Sequence, residues 1–161
     1  MARAKGAAIA GDRLVSKNRR ASFDYEITDT FEAGVALIGS EVRSLRQGSA
    51  DLSEAWVDID QRGEAWIKSM RIPPLQHAAF GHLDTRARKL LLHREQIERL
   101  RGLTERDGMT LIATKCYFKN NRCKLEVAVA RGKKKHDKRQ SIKVKEADRE
   151  ARIAMRRGHH R

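Results

Sequence analysis

Apolar and polar residues alternate along two stretches near the start of the chain. The first covers residues 22–27 and the second residues 31–38, with Gly34 inside the second. A period of two residues is typical of a strand that buries one face. The pattern therefore predicts two strands, and Gly34 indicates a bulge or a place where another backbone comes close.

Two later pairs of stretches predict β-hairpins. Residues 55–59 and 64–70 flank a short polar turn, and residues 109–118 and 122–130 flank an Asn-Asn pair. Alternating strands on both sides of a short polar segment are typical of antiparallel pairs. The second of these is the clearest hairpin in the chain.

Two segments have helical spacing instead. Residues 40–48 are predicted to form a short helix with Val42, Leu45 and Arg46 turned inward, and residues 93–103 a second one. Strands and helices do not alternate regularly in this order, which excludes a doubly wound sheet.

The predicted fold class is mainly β, a small closed antiparallel barrel of the oligonucleotide-binding type. Short helices flank the barrel, and a basic tail follows it at the C-terminus. We expect residues 1–16 to form a disordered basic arm, residues 17–130 the RNA-binding barrel domain, and residues 131–161 the tail.

Charge is the strongest compositional signal. The formal net charge is +14 at pH 7, and residues 131–161 alone carry 13 Lys and Arg against 4 acidic residues. Such a field attracts polyanions, and nucleic acid is the commonest soluble one. Small apolar side chains on one face of 144–154 cannot hold an isolated helix in water, so we expect the tail to be disordered when free and helical when bound.

Several classes of function have no support in the sequence. The longest useful apolar run, residues 35–38, is too short for a signal or membrane segment, so we expect a cytoplasmic protein with no membrane partner. The phosphate-binding, zinc-protease and serine-hydrolase motifs are missing from the sequence, which predicts no enzyme, cofactor or metal. Cys116 and Cys123, diagonal neighbours across an Asn-Asn turn, are expected to be reduced thiols.

Two basic segments are candidate RNA contacts. Lys17-Asn18-Arg19-Arg20 offers three cations and an amide that can read a base or sugar edge. GKKKHDKR, residues 132–139, combines five cations with the ring of His136. Glu32 is an acid within an apolar strand, so a role in binding requires base donors or a neighbouring Arg as its partner.

Five blocks of sequence resemble the SsrA-binding protein family of bacterial trans-translation. They are NRRA at 18–21, FEAG at 31–34, GSEVRSLR at 39–46, RKLLL at 88–92 and GKKKHDKR at 132–139. The resemblance covers roughly residues 14–157. It implies a barrel that grips the tRNA-like domain of transfer-messenger RNA, and a tail that enters the empty decoding site and mRNA channel of a stalled ribosome. The implied partners are transfer-messenger RNA, the small ribosomal subunit with its rRNA and, through the charged RNA, elongation factor Tu, with the protein as a monomer.

The basic clusters and the resemblance together give a set of expected site residues. The expected contacts of the body with RNA are Lys17, Asn18, Arg19, Arg20, Glu32, Arg88, Lys89 and Leu91. The expected contacts of the tail with the decoding site are Gly132, Lys133, Lys134, His136, Asp137, Lys138 and Arg139. Many relatives have Tyr where His136 stands, and a His ring changes its charge near pH ~6.5, so stacking by this ring is expected to depend on pH.

Two other functions stay open on the residues alone. A general translation-associated barrel, such as an initiation-factor-like or ribosomal protein, would bind small-subunit RNA without needing transfer-messenger RNA. An RNA-processing enzyme would turn over a labelled RNA, which the missing catalytic motifs disfavour.

Overall fold

The computed structural model describes residues 13–48, 50–76 and 81–158. The strands along these ranges are β1 (Arg13–Lys17), β2 (Tyr25–Val35), β3 (Trp56–Ile59), β4 (Ala65–Lys68), β5 (Arg88–Leu91), β6 (Thr110–Lys119) and β7 (Arg122–Gly132). The helices are α1 (Ala21–Asp24), α2 (Gly39–Gln47), α3 (Arg94–Asp107) and α4 (Lys135–Gly158).

The strands form one antiparallel sheet whose pairings return on themselves. The order is β1-β6-β3-β4-β5-β2-β7, and β6 also pairs with β7. Six strands are therefore linked in a ring of pairings, while β1 lies outside the ring on β6. The mainly β, antiparallel class with flanking helices is confirmed.

The core is built from alternate residues of these strands. On β6, Leu111 and Ala113 point inward, and after a register shift between Ala113 and Lys115 the inward residues are Cys116 and Phe118. Because the pleat has a period of two, one extra residue moves the inward set by one position. The irregularity thus keeps apolar side chains in the core along the whole strand.

The hairpin of β6 and β7 turns as the sequence predicts. Asn120 and Asn121 both have positive φ, 50° and 60°, as a two-residue turn between twisted strands requires. Phe118 lies opposite Cys123, and the sulfur atoms of Cys116 and Cys123 are 3.7 Å apart as free thiols. Hydrogen bonding with Cys123 and burial raise the pKa of the Cys116 thiol.

The N-terminal boundaries differ from the prediction. Residues 13–16, assigned to a disordered arm, belong to β1, because this segment pairs with β6 and the Ser16 hydroxyl donates to the Ala50 carbonyl at 2.5 Å. Residues 1–12 of that arm lie outside the described residues. Phe23, expected in a strand, lies in α1.

Two internal expectations are also corrected. The first two predicted strands are one strand, β2, which has a register shift between Ile27 and Asp29 in place of a break. Arg46 is exposed, and its guanidinium lies 5.4 Å from the centroid of the Phe118 ring. The aliphatic stem of Arg46 therefore covers part of the core from outside, while its guanidinium stays at the surface.

The last described element, α4, makes the C-terminal tail helical over most of its length. Several apolar side chains of this helix are exposed, among them Ile142, Val144, Ile153 and Met155. Within the described ranges, no helix combines the length and apolar character needed to cross a membrane.

Asn120→Val tests the turn of the β6–β7 hairpin. Val disfavours the left-handed region that residue 120 occupies, so the free energy of unfolding should fall by about 1–2 kcal/mol. Asn121→Gly is the matched control and should change it by less than about 0.5 kcal/mol, since Gly suits the second turn position. Urea denaturation measures both, and equal losses would contradict this geometry.

Candidate nucleic-acid interface

Asn18 fixes the corner that follows β1. Its side-chain nitrogen donates to the carbonyls of Leu52, at 3.0 Å, and Ala113, at 3.3 Å. Its side-chain oxygen accepts from the backbone nitrogens of Arg20, at 3.2 Å, and Ala21, at 3.1 Å. Both ends of the amide are therefore occupied within the protein, and the predicted reading of a base edge by Asn18 does not fit this geometry.

The cations beside Asn18 are displayed by that corner. Lys17, Arg19 and Arg20 are exposed, and the nearest acid to Arg20 is Asp24 at 3.9 Å. Exposed guanidinium and ammonium groups of this kind neutralise phosphates without reading sequence.

Arg88 departs from the predicted role of an RNA contact because it is completely buried. Its guanidinium donates to the Glu41 carboxylate at 2.8 Å and to the carbonyls of Met70, at 2.7 Å, and Asp84, at 3.0 Å. Arg86 donates to the same carboxylate at 2.8 and 2.7 Å. The guanidinium of Arg88 would have to leave Glu41 to reach an RNA, so its place in the fold is structural.

Opposing effects act on the ionisation of Glu41. Burial disfavours its carboxylate, but hydrogen bonds from Arg86, from the Ile38 backbone and from Arg88 outweigh burial and lower its pKa. This contribution to stability is present above the unfolded-state pKa and is lost as pH falls through the lower folded-state pKa.

Glu32 lies on the outer surface of β2 with partners from β6. The Tyr117 hydroxyl donates to its carboxylate at 2.5 Å, and the Lys119 ammonium lies 3.3 Å from it. The hydrogen bond from Tyr117, with smaller contributions from Lys119 and Lys124, lowers the pKa of Glu32. The predicted partner was an Arg or a base, and the structure instead supplies a phenol and a lysine.

Leu91 lies beside Glu32 because β5 pairs with β2. Gly34 is opposite Leu91, and a Cβ added to Gly34 would lie 3.2 Å from the Cβ of Leu91. The atoms nearest to that position all belong to the Leu91 side chain, so the close approach at Gly34 involves a side chain and not a second backbone. Leu91 is 56% exposed, and it lines a cavity of about 430 Å³ together with Lys124 of β7.

Lys89 shares the outward side of β5 with Leu91, since Arg88 and Leu90 are buried. Its ammonium lies 2.8 Å from the Glu64 carboxylate, and both side chains keep a third or more of their surface exposed. An exposed pair of this kind is weak, so Lys89 can exchange its partner.

A continuous outer surface joins these groups. Lys17 is paired with Lys115, whose ammonium lies 3.0 Å from Glu126, and Glu126 is opposite Glu32 across β2 and β7. We call the group formed by Glu32, Leu91, Tyr117, Lys119 and Lys124 the Glu32 face.

Sequence reasoning missed Tyr117, Lys119 and Lys124. The Asn-Asn turn could have predicted them, because a two-residue turn fixes the register of β6 and β7. That register pairs Tyr117 with Lys124 and turns Cys116 and Phe118 inward.

The GKKKHDKR segment forms the junction between β7 and α4. Lys133 donates to the Ser22 carbonyl at 2.9 Å, and the ammonium of Lys138 lies 3.1 Å from the Asp24 carboxylate. Lys134, Asp137 and Arg139 are exposed. Gly132 ends β7, and the backbone of residue His136 lies in the first turn of α4.

Among the residues that the structure describes, no group of three or more His, Cys, Asp or Glu side chains is placed to hold a metal ion. The groups of the candidate site are cations, one oriented carboxylate, that of Glu32, and exposed apolar surface.

These features define a class: a small basic protein with an antiparallel sheet, whose outer surface and tail offer cations to a polyanion. The family model for the SmpB protein matches residues 15–157. The chain belongs to the SmpB family.

Individual relatives agree with this assignment. An SsrA-binding protein from Sorangium cellulosum is 48% identical over 151 residues, which is 94% of this chain and 93% of the relative. One from Bifidobacterium longum strain DJO10A is 48% identical over 147 residues, with 91% and 93% covered. A solved structure described as "tmRNA-SmpB: a journey to the center of the bacterial ribosome" contains a chain that is 38% identical, with a TM-score of 0.64, and the match covers 80% of this chain and 94% of that one.

Arg88→Met tests whether the buried arginine is structural. It leaves Glu41 buried with one cation fewer, so the free energy of unfolding should fall by about 3–5 kcal/mol. Arg71→Met is the matched control, since Arg71 pairs with Asp84 at 3.0 Å with most of its side chain exposed, and it should cost about 0–1 kcal/mol. Urea denaturation measures both, and an Arg88→Met protein as stable as the Arg71→Met control would contradict a structural role for Arg88.

Proposed function

We propose that the chain is an RNA-binding protein of trans-translation. It binds the tRNA-like domain of transfer-messenger RNA, accompanies that RNA to stalled ribosomes, and enables tagging of the nascent peptide and release of the ribosome. Support comes from membership of the SmpB family over residues 15–157 and from relatives named SsrA-binding protein. The similar solved structure, described by tmRNA-SmpB and the ribosome, supports the same partners.

The Glu32 face is the observation that carries the binding part of this proposal. It brings an ionised carboxylate, a phenol, two lysines and an exposed leucine onto one outer surface. Lysines attract phosphates, while apolar and ring surfaces contact unstacked bases. The mixture suits a folded RNA that presents both its backbone and unpaired bases.

Glu32 has a defined part in this surface. Tyr117 and Lys119 hold the carboxylate in one orientation and lower its pKa, so it is an acceptor at neutral pH. Amino groups of bases are the RNA donors that a carboxylate can accept from. Glu32 therefore selects base edges, while Lys17, Arg19, Arg20 and Lys89 contact the backbone around them.

Asn18 and Arg88 do not contact the RNA themselves but position residues that do. Asn18 holds the corner that displays Arg19 and Arg20. Arg88 is buried, and the alternation of side chains along β5 therefore turns Lys89 and Leu91 outward. Loss of either residue should reduce binding through the geometry of its neighbours.

The body is proposed to be a closed barrel of the oligonucleotide-binding type. The ring of six paired strands supports this form, as does the position of α3 between β5 and β6. In such folds a curved strand surface and adjoining loops meet the nucleic acid.

The tail is proposed to act in the decoding site and mRNA channel. Lys134, Asp137 and Arg139 are exposed at the start of α4, with the backbone of residue His136 between them. Beyond the contacts with α1, the helix exchanges with disordered forms in the free protein and is fully formed on the ribosome. Lys133 and Lys138 exchange Ser22 and Asp24 for RNA phosphates there.

The protein acts as a monomer in the cytoplasm, meets elongation factor Tu through the charged RNA, and catalyses no reaction itself.

Glu32→Ala should lower the affinity for transfer-messenger RNA by about ten- to a hundredfold, because a charged acceptor leaves the RNA contact. Glu126→Ala is the matched control, since Glu126 lies opposite on the same surface but is held by Thr114 and Lys115. Filter binding with excess unrelated tRNA measures both affinities, and circular dichroism checks the fold. Equal effects of the two substitutions would contradict a specific role for Glu32, and wild-type binding that the competitor removes would favour a general RNA-binding barrel.

A chain that ends at Lys134 should separate binding from tagging. The sheet stays complete, because β7 ends at Gly132 and the Lys133 backbone nitrogen donates to the Asp24 carbonyl at 3.0 Å. We expect its affinity for transfer-messenger RNA to stay within about tenfold of the full chain, since only phosphate contacts are removed, while tagging on stalled ribosomes is lost. Normal tagging by the shortened chain would refute the role of the tail.

A further inference from the structure

The ring of strands is incomplete between β3 and β6. In the described structure these strands pair only at Trp56 with Ile112, and the Ala113 nitrogen donates to the Ala55 carbonyl just before that point. Continuing this register would pair residues 57–59 with residues 109–111. The strands diverge there instead.

A cavity of about 350 Å³ occupies the place where these pairs would form. Residues 57–59 line one side and residues 109–111 the other, and Arg101, Thr104 and Glu105 of α3 also line it. The volume lies within the ~300–1,000 Å³ range of small-ligand sites. Strand edges that lack a partner strand present backbone donors and acceptors to whatever enters.

Trp56 stands at the narrow end of this cavity. Its side chain is 41% exposed although indole rings bury well, and the Lys68 ammonium lies 5.1 Å from the ring centroid. Lys68 is itself 2.6 Å from the Asp58 carboxylate. An exposed indole beside a cation is a surface on which a nucleic-acid base stacks while its phosphate meets the charge.

The shape of the cavity decides between a base and a peptide strand. A peptide strand inserted between β3 and β6 would need these two strands to stay two strand spacings apart along its length. β3 and β6 instead come together at Trp56 and Ile112. At most three residues could pair before that closure. One planar base fits such a wedge, with backbone groups at its edge and Trp56 at its face.

The site is separate from the Glu32 face. The cavity shares no residue with the Glu32 face, although β6 contributes residues 110–111 to the cavity and Tyr117 and Lys119 to the Glu32 face. An RNA partner that surrounds the protein, or a second RNA, would contact both.

We propose that this cavity binds one unpaired RNA nucleotide, with the base stacked on Trp56 and its edge against the open edges of β3 and β6. Arg101 is positioned to approach its phosphate or sugar, because its side chain lines the cavity while it donates to the Asp60 carbonyl. The inference rests on the proposed RNA-binding function and adds a second site to it.

Fluorescence of a single tryptophan tests the site directly. Trp56 and Trp66 are the two tryptophans of the chain, so Trp66→Phe leaves Trp56 as the reporter and Trp56→Phe leaves Trp66 as the matched control. Each full-length protein is titrated with transfer-messenger RNA, with naked small-subunit rRNA and with intact small subunits, while filter binding follows the wild type. Stacking should give a saturable loss of Trp56 emission with transfer-messenger RNA or rRNA. The change of Trp66 emission should be clearly smaller, since Trp66 lies opposite Asp58 and Lys89 but does not line the cavity.

The outcomes separate this inference from the proposed function. Loss of Trp56 emission with one RNA supports the site and identifies the source of the nucleotide. Unchanged Trp56 emission in every titration, with wild-type binding to transfer-messenger RNA intact, overturns the site and leaves the function standing. Loss with intact subunits alone assigns the cavity to a ribosomal protein and overturns it too, while a wild type that binds no RNA overturns the function itself.

Discussion

A buried carboxylate shared by two arginines holds the parts of this fold together. Glu41 accepts from Arg86 and Arg88, and it also accepts from the Ile38 nitrogen at the start of α2. Removing such charges from water is costly, and the cost is offset only when every donor and acceptor is satisfied. Arg88 meets this condition by donating to Met70 and Asp84 as well, so one cluster joins α2, β5 and the chain between β4 and β5.

The outward residues of β5 depend on that cluster. With Arg88 and Leu90 inward, the two-residue pleat turns Lys89 and Leu91 outward, and a slip of one residue would exchange the two sets. Gly34 then lets the backbone of β2 come close to Leu91, which brings Glu32 onto the same surface. The position of Glu32 on the surface thus depends on the buried Arg88, although the two residues are far apart in sequence.

Local patterns predicted much of this arrangement, and long-range pairing explains what they missed. The Asn-Asn turn fixed the register of β6 and β7, including the neighbouring thiols, because both strands adjoin it. β1 was missed because few of its residues are apolar and its partner strand lies about a hundred residues away. Arg88 was assigned to RNA because an arginine beside other cations has no local sign of burial, and its carboxylate partner comes from α2. The side-chain nitrogen of Asn18 likewise donates to the Leu52 and Ala113 carbonyls, which come near it only in the folded chain.

The junction of α4 with the body has a mechanical consequence. A helix of 24 residues is about 36 Å long, so a rotation of about ten degrees at its base displaces its far end by about 6 Å. The base is held by Lys133 and Lys138 on α1, in polar contacts that salt weakens, while the shaft is held by its own hydrogen bonds. Whenever α4 is helical along its whole length, a small change in its contacts with α1 therefore produces a large displacement of its far end.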